Sequence, residues 1–348
     1  MASTVEEIQN SKKLPRVRRK GIGLSPEQLV STGFLHPGTD LPLVLRPAVD
    51  DVNLGAWASL NQSFLQEKLL QYGALLFRGF NVKTADEFSD VCRAISGELI
   101  EYRERSSPRS SVAEKIYTST DYPPDQAIFP HNEHSYSLTF PLRLYFFCET
   151  PAVEGGETPL VDTRKVFQRL DERVRGHFKE KKWMYVRNFG DGFGLSWETA
   201  FQTSDKQVVE RYCRDSGIEV EWKENNRLRT RQVREPMIEH PQTGESIWFN
   251  HITFFHITTL EPSIRETLLS AFAPDDLPHN SFYGDGTAIE PEVVAQLREA
   301  YLQEMISFAW QRGDILLLDN ILTAHARAPY AGPRKILVAM AQPYTRSH

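Results

Sequence analysis

The chain opens its periodic part with apolar residues at helical spacing in NQSFLQEKLLQYG (Asn61 to Gly73), and Gly73 stands where a helix would stop. ALLFRGF (Ala74 to Phe80) then reads as a short buried strand. TADEFSDVCRAISG follows with Thr84 and Glu87 in capping-box spacing, predicting another helix. From Ala127 to Val161 the pattern changes to short runs of Phe, Tyr, Leu and Thr broken by Pro and Gly, the composition of antiparallel strands. Helical spacing returns in TRKVFQRLDERVRGHF, SDKQVVERYCRD, PSIRETLLSAF and PEVVAQLREAYLQEM. Ser204 and Gln207 repeat the capping-box spacing, and Pro291 suits a first helical turn. Strands are predicted again in SIWFNHITFFHI, DILLLDN and KILVAMAQ. The pattern therefore predicts a mainly β, α+β fold: one β core interrupted by a long helical and irregular insert at about 165–305. No internal repeat or low-complexity tract is present.

Composition narrows the class. The 348 residues are 40% hydrophobic, enough for a large core, and the net charge of -6 argues against nucleic acid as a partner. The basic run KKLPRVRRK lies in a polar N-terminal stretch, so residues 1–40 are expected to form a flexible arm preceding a single domain over 41–348. No apolar stretch approaches the length of a membrane span and the start lacks a secretory signal, which predicts a cytoplasmic protein. Cys92, Cys148 and Cys213 are odd in number and form no C-x-x-C pair, so no disulfide framework or zinc cluster is expected.

Chemistry concentrates in IFPHNEHSYSLTF. If this is a strand, His131 and Glu133 share a face while Asn132 and His134 take the other, leaving His134 in the core or behind the ligands. A His and a carboxylate on one strand supply two corners of a metal site, and a distant His can complete the 2-His-1-carboxylate triad of non-haem iron oxygenases. H-x-E alone is equally an ordinary hydrogen-bonded pair. A third ligand is offered by GDILLLDNILTAHARAPYAGPRKILVAM, where His325 follows a buried strand and Arg334 begins another. An Arg buried at that point needs an anion, either an internal carboxylate or one end of a dicarboxylate co-substrate. His256, in TFFHI, reads as a core histidine on an aromatic strand. The glycine-rich GDGFG and YGDG read as turns, and no H-E-x-x-H or G-x-S-x-G is present.

PHNEHSYSLTFPLRLYFFCETPAVEGGETPLVDTR, IWFNHITFFH and GDILLLDNILTAHARAPYAGPRKILVAM, with GALLFRGF and YTSTDYP, together resemble the taurine-dioxygenase-like family of Fe(II)- and 2-oxoglutarate-dependent oxygenases. Within it the sequence is most similar to the clavaminate-synthase-like subgroup, which has Glu in the ligand pair and includes syringomycin-pathway-type aspartyl β-hydroxylases. The resemblance implies a double-stranded β-helix (jelly-roll) core with flanking helices. It implies His131, Glu133 and His325 as iron ligands, Thr158 and Arg334 as the grip on 2-oxoglutarate, and dioxygen as oxidant. Two departures stand out: Lys335 where relatives often carry a second Arg, and His251 where Gln is expected.

The resemblance further implies hydroxylation of an amino acid in specialised-metabolite biosynthesis, with aspartate as one candidate, free or bound to a peptidyl carrier protein. Retention of Glu133 favours hydroxylation over chlorination, because related halogenases vacate that position for chloride. Desaturation or cyclisation on the same iron stays open. Arg105, Arg229 and Arg231, with His251, are candidate substrate contacts, although for any one of these arginines taken alone a solvated surface residue is the preferred reading. Two other readings compete: a non-catalytic jelly-roll protein binding a metal or small acid, and a cupin-like metalloenzyme independent of 2-oxoglutarate. Dependence on 2-oxoglutarate separates the three.

Overall fold

The computed structural model describes residues 26–101, 111–119, 122–190 and 194–346. Its longest apolar runs become strands buried on both faces. Along Thr139–Thr150, Ile315–Asp319 and Lys335–Thr345, successive side chains alternate between two cores. Phe147, Leu317 and Ala339 point into one core. Phe146, Leu316 and Val338 point into the other.

These strands are central in an eight-stranded sheet ordered Val30–Gly33, Leu43–Pro47, Ala74–Phe77, Ile315–Asp319, Thr139–Thr150, Lys335–Thr345, Ile116–Thr118 and Ser111–Ala113. Helices Leu54–Leu60, Gln62–Tyr72 and Ala85–Ser96 cover its first face through Trp57, Leu65, Leu69 and Phe88. Gly73 stops the second of these at φ +75°, and a Cβ there would stand 2.4 Å from Thr323 Oγ1. The predicted Thr84–Glu87 capping box forms in full. Across the second face lies a smaller sheet, Met305–Ile306, Leu160–Asp162, Thr323–Arg327 and Ile128–His131, with Leu160 in the core between the sheets. Two facing layers, antiparallel except where Leu43–Pro47 runs parallel to Ala74–Phe77, make the expected jelly-roll sandwich.

The outer side of the smaller sheet, through Val161 and Ala324, packs against the insert. That insert is not only helical. It carries its own antiparallel sheet, ordered Ile218–Trp222, Leu228–Arg234, Trp183–Phe189 and His279–Tyr283, beside helices such as Glu172–Lys181 and Pro291–Gln303. Regular structure also begins before Leu41: Val30–Gly33 pairs with Leu43–Pro47.

Four local expectations change for identifiable reasons. The strand expected through SIWFNHITFFHI ends at Trp248, and Ile252–Phe255 is a helical turn. Asn250 accepts the Ile252 N–H at 3.0 Å, and Ile252 and Phe255 enter the same core at helical spacing. The strand expected through His134 ends at His131, and His134 has φ +56°, so alternation does not set its direction. TRKVFQRLDERVRGHF splits into Thr163–Arg169 and Glu172–Lys181 because Asp171 caps the second helix through the Arg173 N–H. Asp205 rather than Ser204 caps Lys206–Asp215, accepting the Gln207 N–H at 2.8 Å.

His256 caps the short 3-10 turn Ile257–Thr259, its Nδ1 accepting the Thr258 N–H at 3.3 Å. Burial, with Arg298 nearby, pushes its pKa down to about 4. The unfolded chain binds that proton near the ordinary value of about 6.5, so this stabilisation is present above 6.5 and is lost as pH falls toward 4. Thermal unfolding of His256→Gln followed across this window should show a shallower pH dependence than wild type. The difference should be at most about 1.4 kcal/mol per pH unit.

Candidate metal centre and co-substrate pocket

The smaller sheet brings the ends of the sequence motif together. Thr323–Arg327 pairs antiparallel with Ile128–His131 so that His325 lies directly opposite His131, their rings 4.4 Å apart. Glu133 lies in the turn just past the strand end, with His325 Nε2 3.8 Å from its Oε2. One ligand atom from each of His131, Glu133 and His325 falls within 4.8 Å of the others, and all three residues are buried. Two imidazoles and a carboxylate on one side of a point suit a divalent iron with open positions. His131 Nδ1 meets the Phe129 carbonyl at 2.9 Å. A carbonyl only accepts, so that nitrogen carries the proton and Nε2 keeps its lone pair for a metal.

Main-chain bracing holds the Glu133 turn. Arg346 donates to the Ser135 carbonyl at 2.7 Å and Arg234 to the Tyr136 carbonyl at 3.1 Å. Burial pushes the Arg346 guanidinium down to about 9. His134 sits beside the carboxylate, Nε2 3.7 Å from Glu133 Oε1, behind the ligand set as expected although no regular strand puts it there. His251 is buried next to His131, with ring centroids 5.4 Å apart. Its Nδ1 lies 2.5 Å from Ser135 Oγ and its ring stacks on Phe255. Burial holds its pKa well below the ordinary value, with His131 adding to the effect, so the ring is neutral.

A single pocket is lined by His131 and His325 and by Ser119, Thr158, Arg327 and Arg334. Arg334 Nε donates to the Gly156 carbonyl at 2.8 Å and Nη1 to Ser119 Oγ at 3.3 Å. Burial lowers its pKa to about 10, with Arg327 adding to the effect. Among the described residues no carboxylate stands within ion-pair distance of it, so the internal salt bridge weighed as the alternative is not formed there. A half-buried guanidinium without an ion-pair partner among the described residues suits an anionic ligand. Lys335, by contrast, turns outward and pairs with Glu149 at 2.7 Å, so Arg334 is the one that faces inward. Thr158 Oγ1 accepts from Trp310 Nε1 at 3.1 Å, which leaves its own proton available to an anion. A dicarboxylate with a chelating keto acid at the metal and a carboxylate at Arg334 fits this donor set.

The substrate candidates fare differently. Arg229 pairs with Asp276 and donates to Asn188 at 2.9 Å, and Arg231 pairs with Glu221 at 3.0 Å. Both belong to the insert's sheet and neither lines the pocket beside the histidines. Arg105 lies outside the described residues. Sequence reasoning did not single out Ser119, Trp310, Arg327 or Gly156. Only Gly156 carried a signal, as the second glycine of a pair.

Residues 38–340 match the family described as taurine catabolism dioxygenase TauD, TfdA family. The chain belongs to this family. It is 40% identical over 290 residues to the dapdiamide synthesis protein DdaC of Enterobacter agglomerans, covering 82% of this chain and 88% of that protein. It is 31% identical to a clavaminate synthase-like protein of Arabidopsis thaliana over 80% of this chain and 84% of the relative. Among solved structures, PvcB of Pseudomonas aeruginosa, an Fe, alpha-ketoglutarate dependent oxygenase from an isonitrile synthetic pathway, superposes with a TM-score of 0.52. That match has 16% identity and covers 91% of this chain and 92% of PvcB. AAD-2 in complex with Mn(II) and N-oxalylglycine gives 0.50 at 12% identity, over 90% of this chain and 96% of that one. At these identities the structures speak for the fold. The expectation of an iron- and 2-oxoglutarate-dependent dioxygenase acting on a small molecule is borne out at the level of the family. No helix among the described residues is long and apolar enough to cross a membrane.

Gly156 has φ +73°, and a Cβ there would stand 3.0 Å from both Cδ and Nε of Arg334. Gly156→Ala should displace the guanidinium and weaken 2-oxoglutarate binding, read by calorimetry with Mn(II), by about 10-fold or more, the worth of one charge-assisted hydrogen bond. Lys335→Ala should bind 2-oxoglutarate as wild type does.

Proposed function

We propose that this protein is an Fe(II)- and 2-oxoglutarate-dependent hydroxylase of an amino-acid-like substrate in the biosynthesis of a specialised metabolite. The observation that carries the reading is Arg334, a half-buried guanidinium with no carboxylate within ion-pair distance among the described residues, set in one pocket with the histidines of a His-Glu-His cluster. Similarity to a dapdiamide synthesis protein supports the biosynthetic setting. Aspartate is the first amino acid to offer, free and as the thioester of a peptidyl carrier protein.

His131, Glu133 and His325 would hold the iron, and Arg334, Thr158 and the Ser119 hydroxyl would hold the far carboxylate of 2-oxoglutarate. Iron with 2-oxoglutarate supplies the oxidising power: dioxygen is consumed, 2-oxoglutarate becomes succinate and carbon dioxide, and one oxygen atom enters a C–H bond. The protein orients and shields that chemistry. Phe146, Ile336 and Val338 give the pocket an apolar wall that keeps bulk water from the reacting centre. His251, neutral and held against Ser135, packs against the His131 ring and limits its rotation. Retention of a carboxylate at Glu133, where related halogenases have none, favours hydroxylation. A bare metal or acid sensor would have no use for a dicarboxylate grip combined with a three-ligand face.

Mass spectrometry of aspartate and a panel of other amino acids, free and carrier-bound, with Fe(II), 2-oxoglutarate and oxygen, tests the proposal. The expected outcome is a gain of one oxygen by one member, matched by succinate. Glu133→Ala should reduce that turnover by more than the roughly 10–100-fold typical of losing an outer partner of a metal ligand. Absence of product and of succinate with every member would reject the hydroxylase reading for this class of substrate.

A further inference from the structure

The ladder between Ile128–His131 and Thr323–Arg327 stops at His131, leaving the main chain of Glu133 without a strand neighbour. Asn320, fully buried in the chain reversal that leads to His325, takes that neighbour's place. Its amide oxygen accepts the Glu133 N–H at 2.7 Å, and its amide nitrogen donates to the carbonyls of Glu133 at 2.9 Å and Pro141 at 2.8 Å. A carboxamide has one acceptor oxygen and two N–H donors, and all are used here. The backbone of Asn320 is fixed as well: its N–H donates to the Leu142 carbonyl at 3.0 Å, and its carbonyl accepts the Asn132 side chain at 2.7 Å.

One side chain thus joins two segments 187 residues apart, the turn bearing Glu133 and the turn running into His325. We propose that Asn320 is a positioning residue of the metal centre, holding the Glu133 main chain so that its carboxylate converges with His131 and His325. The inference rests on the reading of those three residues as ligands. No other residue type fits the role: Asp lacks the donors, Ala lacks everything, and Gln adds a methylene in a site with no spare room.

The test uses the full-length apoprotein titrated with Co(II), whose visible absorption reports both affinity and coordination geometry without turnover. Asn320→Ala should bind Co(II) about 10–100-fold more weakly, with an altered spectrum. Thr163→Val supplies the control, since the Thr163 hydroxyl donates to the Ile321 carbonyl at 2.7 Å in the same buried turn. That variant should lower the Tm while keeping the wild-type affinity and spectrum. If Asn320→Ala does not fold, Asn320→Asp, which keeps the acceptor for the Glu133 N–H and loses both donors, should show a loss of the same order. Wild-type Co(II) binding by the Asn320 variant that folds, or an equal loss in Thr163→Val, would overturn the proposal. Glu133→Ala separates the two levels. If it too binds Co(II) normally, the ligand reading itself fails; if it alone weakens binding, only the role of Asn320 does.

Discussion

The antiparallel pairing of Thr323–Arg327 with Ile128–His131 is the constraint on which the site depends. It sets His325 opposite His131, and a one-residue slip would turn one imidazole to the far side of the sheet. The register is secured from both faces. Leu160 of the neighbouring strand packs into the core between the sheets, while Val161 and Ala324 pack under the insert, so neither strand can shift without exposing apolar side chains. The sandwich and the insert therefore do more than bury surface; they fix where two imidazole rings meet.

A second constraint is electrical. The pocket places half-buried Arg334 beside buried Arg327, which donates to the backbone carbonyls of Tyr122 at 2.9 Å and Gln126 at 2.8 Å. Burial is the main cause of the lowered Arg334 pKa and repulsion from Arg327 adds to it, and two guanidiniums side by side favour an anionic co-substrate. Elsewhere Arg143 pairs with Asp319 at 2.5 Å and Arg78 with Asp314 at 2.6 Å, whereas buried Arg346 donates to main-chain carbonyls. What distinguishes Arg334 is its place in one pocket with His131 and His325.

Much of the fold was legible because its elements are stated locally. The capping box at Thr84 and the stop at Gly73 depend on neighbours along the chain. Apolar runs such as ILLL and ILVAMA announce strands covered on both sides. The misread segments share a cause. In SIWFNHITFFHI and in the stretch around His134, the composition favours strand, but a polar side chain or a left-handed residue ends the ladder early. Arg229 and Arg231 were candidate substrate contacts, yet the strand beside them brings Glu221 into register and the turn Pro274–Asp276 brings Asp276 to Arg229.

By itself the sequence determined the ligand types, the jelly-roll family they belong to and the order in which the motifs occur, because these are carried by residue identity and short-range spacing. Only the tertiary structure decided that Arg334 rather than Lys335 faces the pocket, that Trp310 orients Thr158, and that Asn320 grips Glu133. Each of those depends on which strands are neighbours and on which face is covered. Such long-range contacts arise from packing the whole chain at once, and no local pattern encodes them.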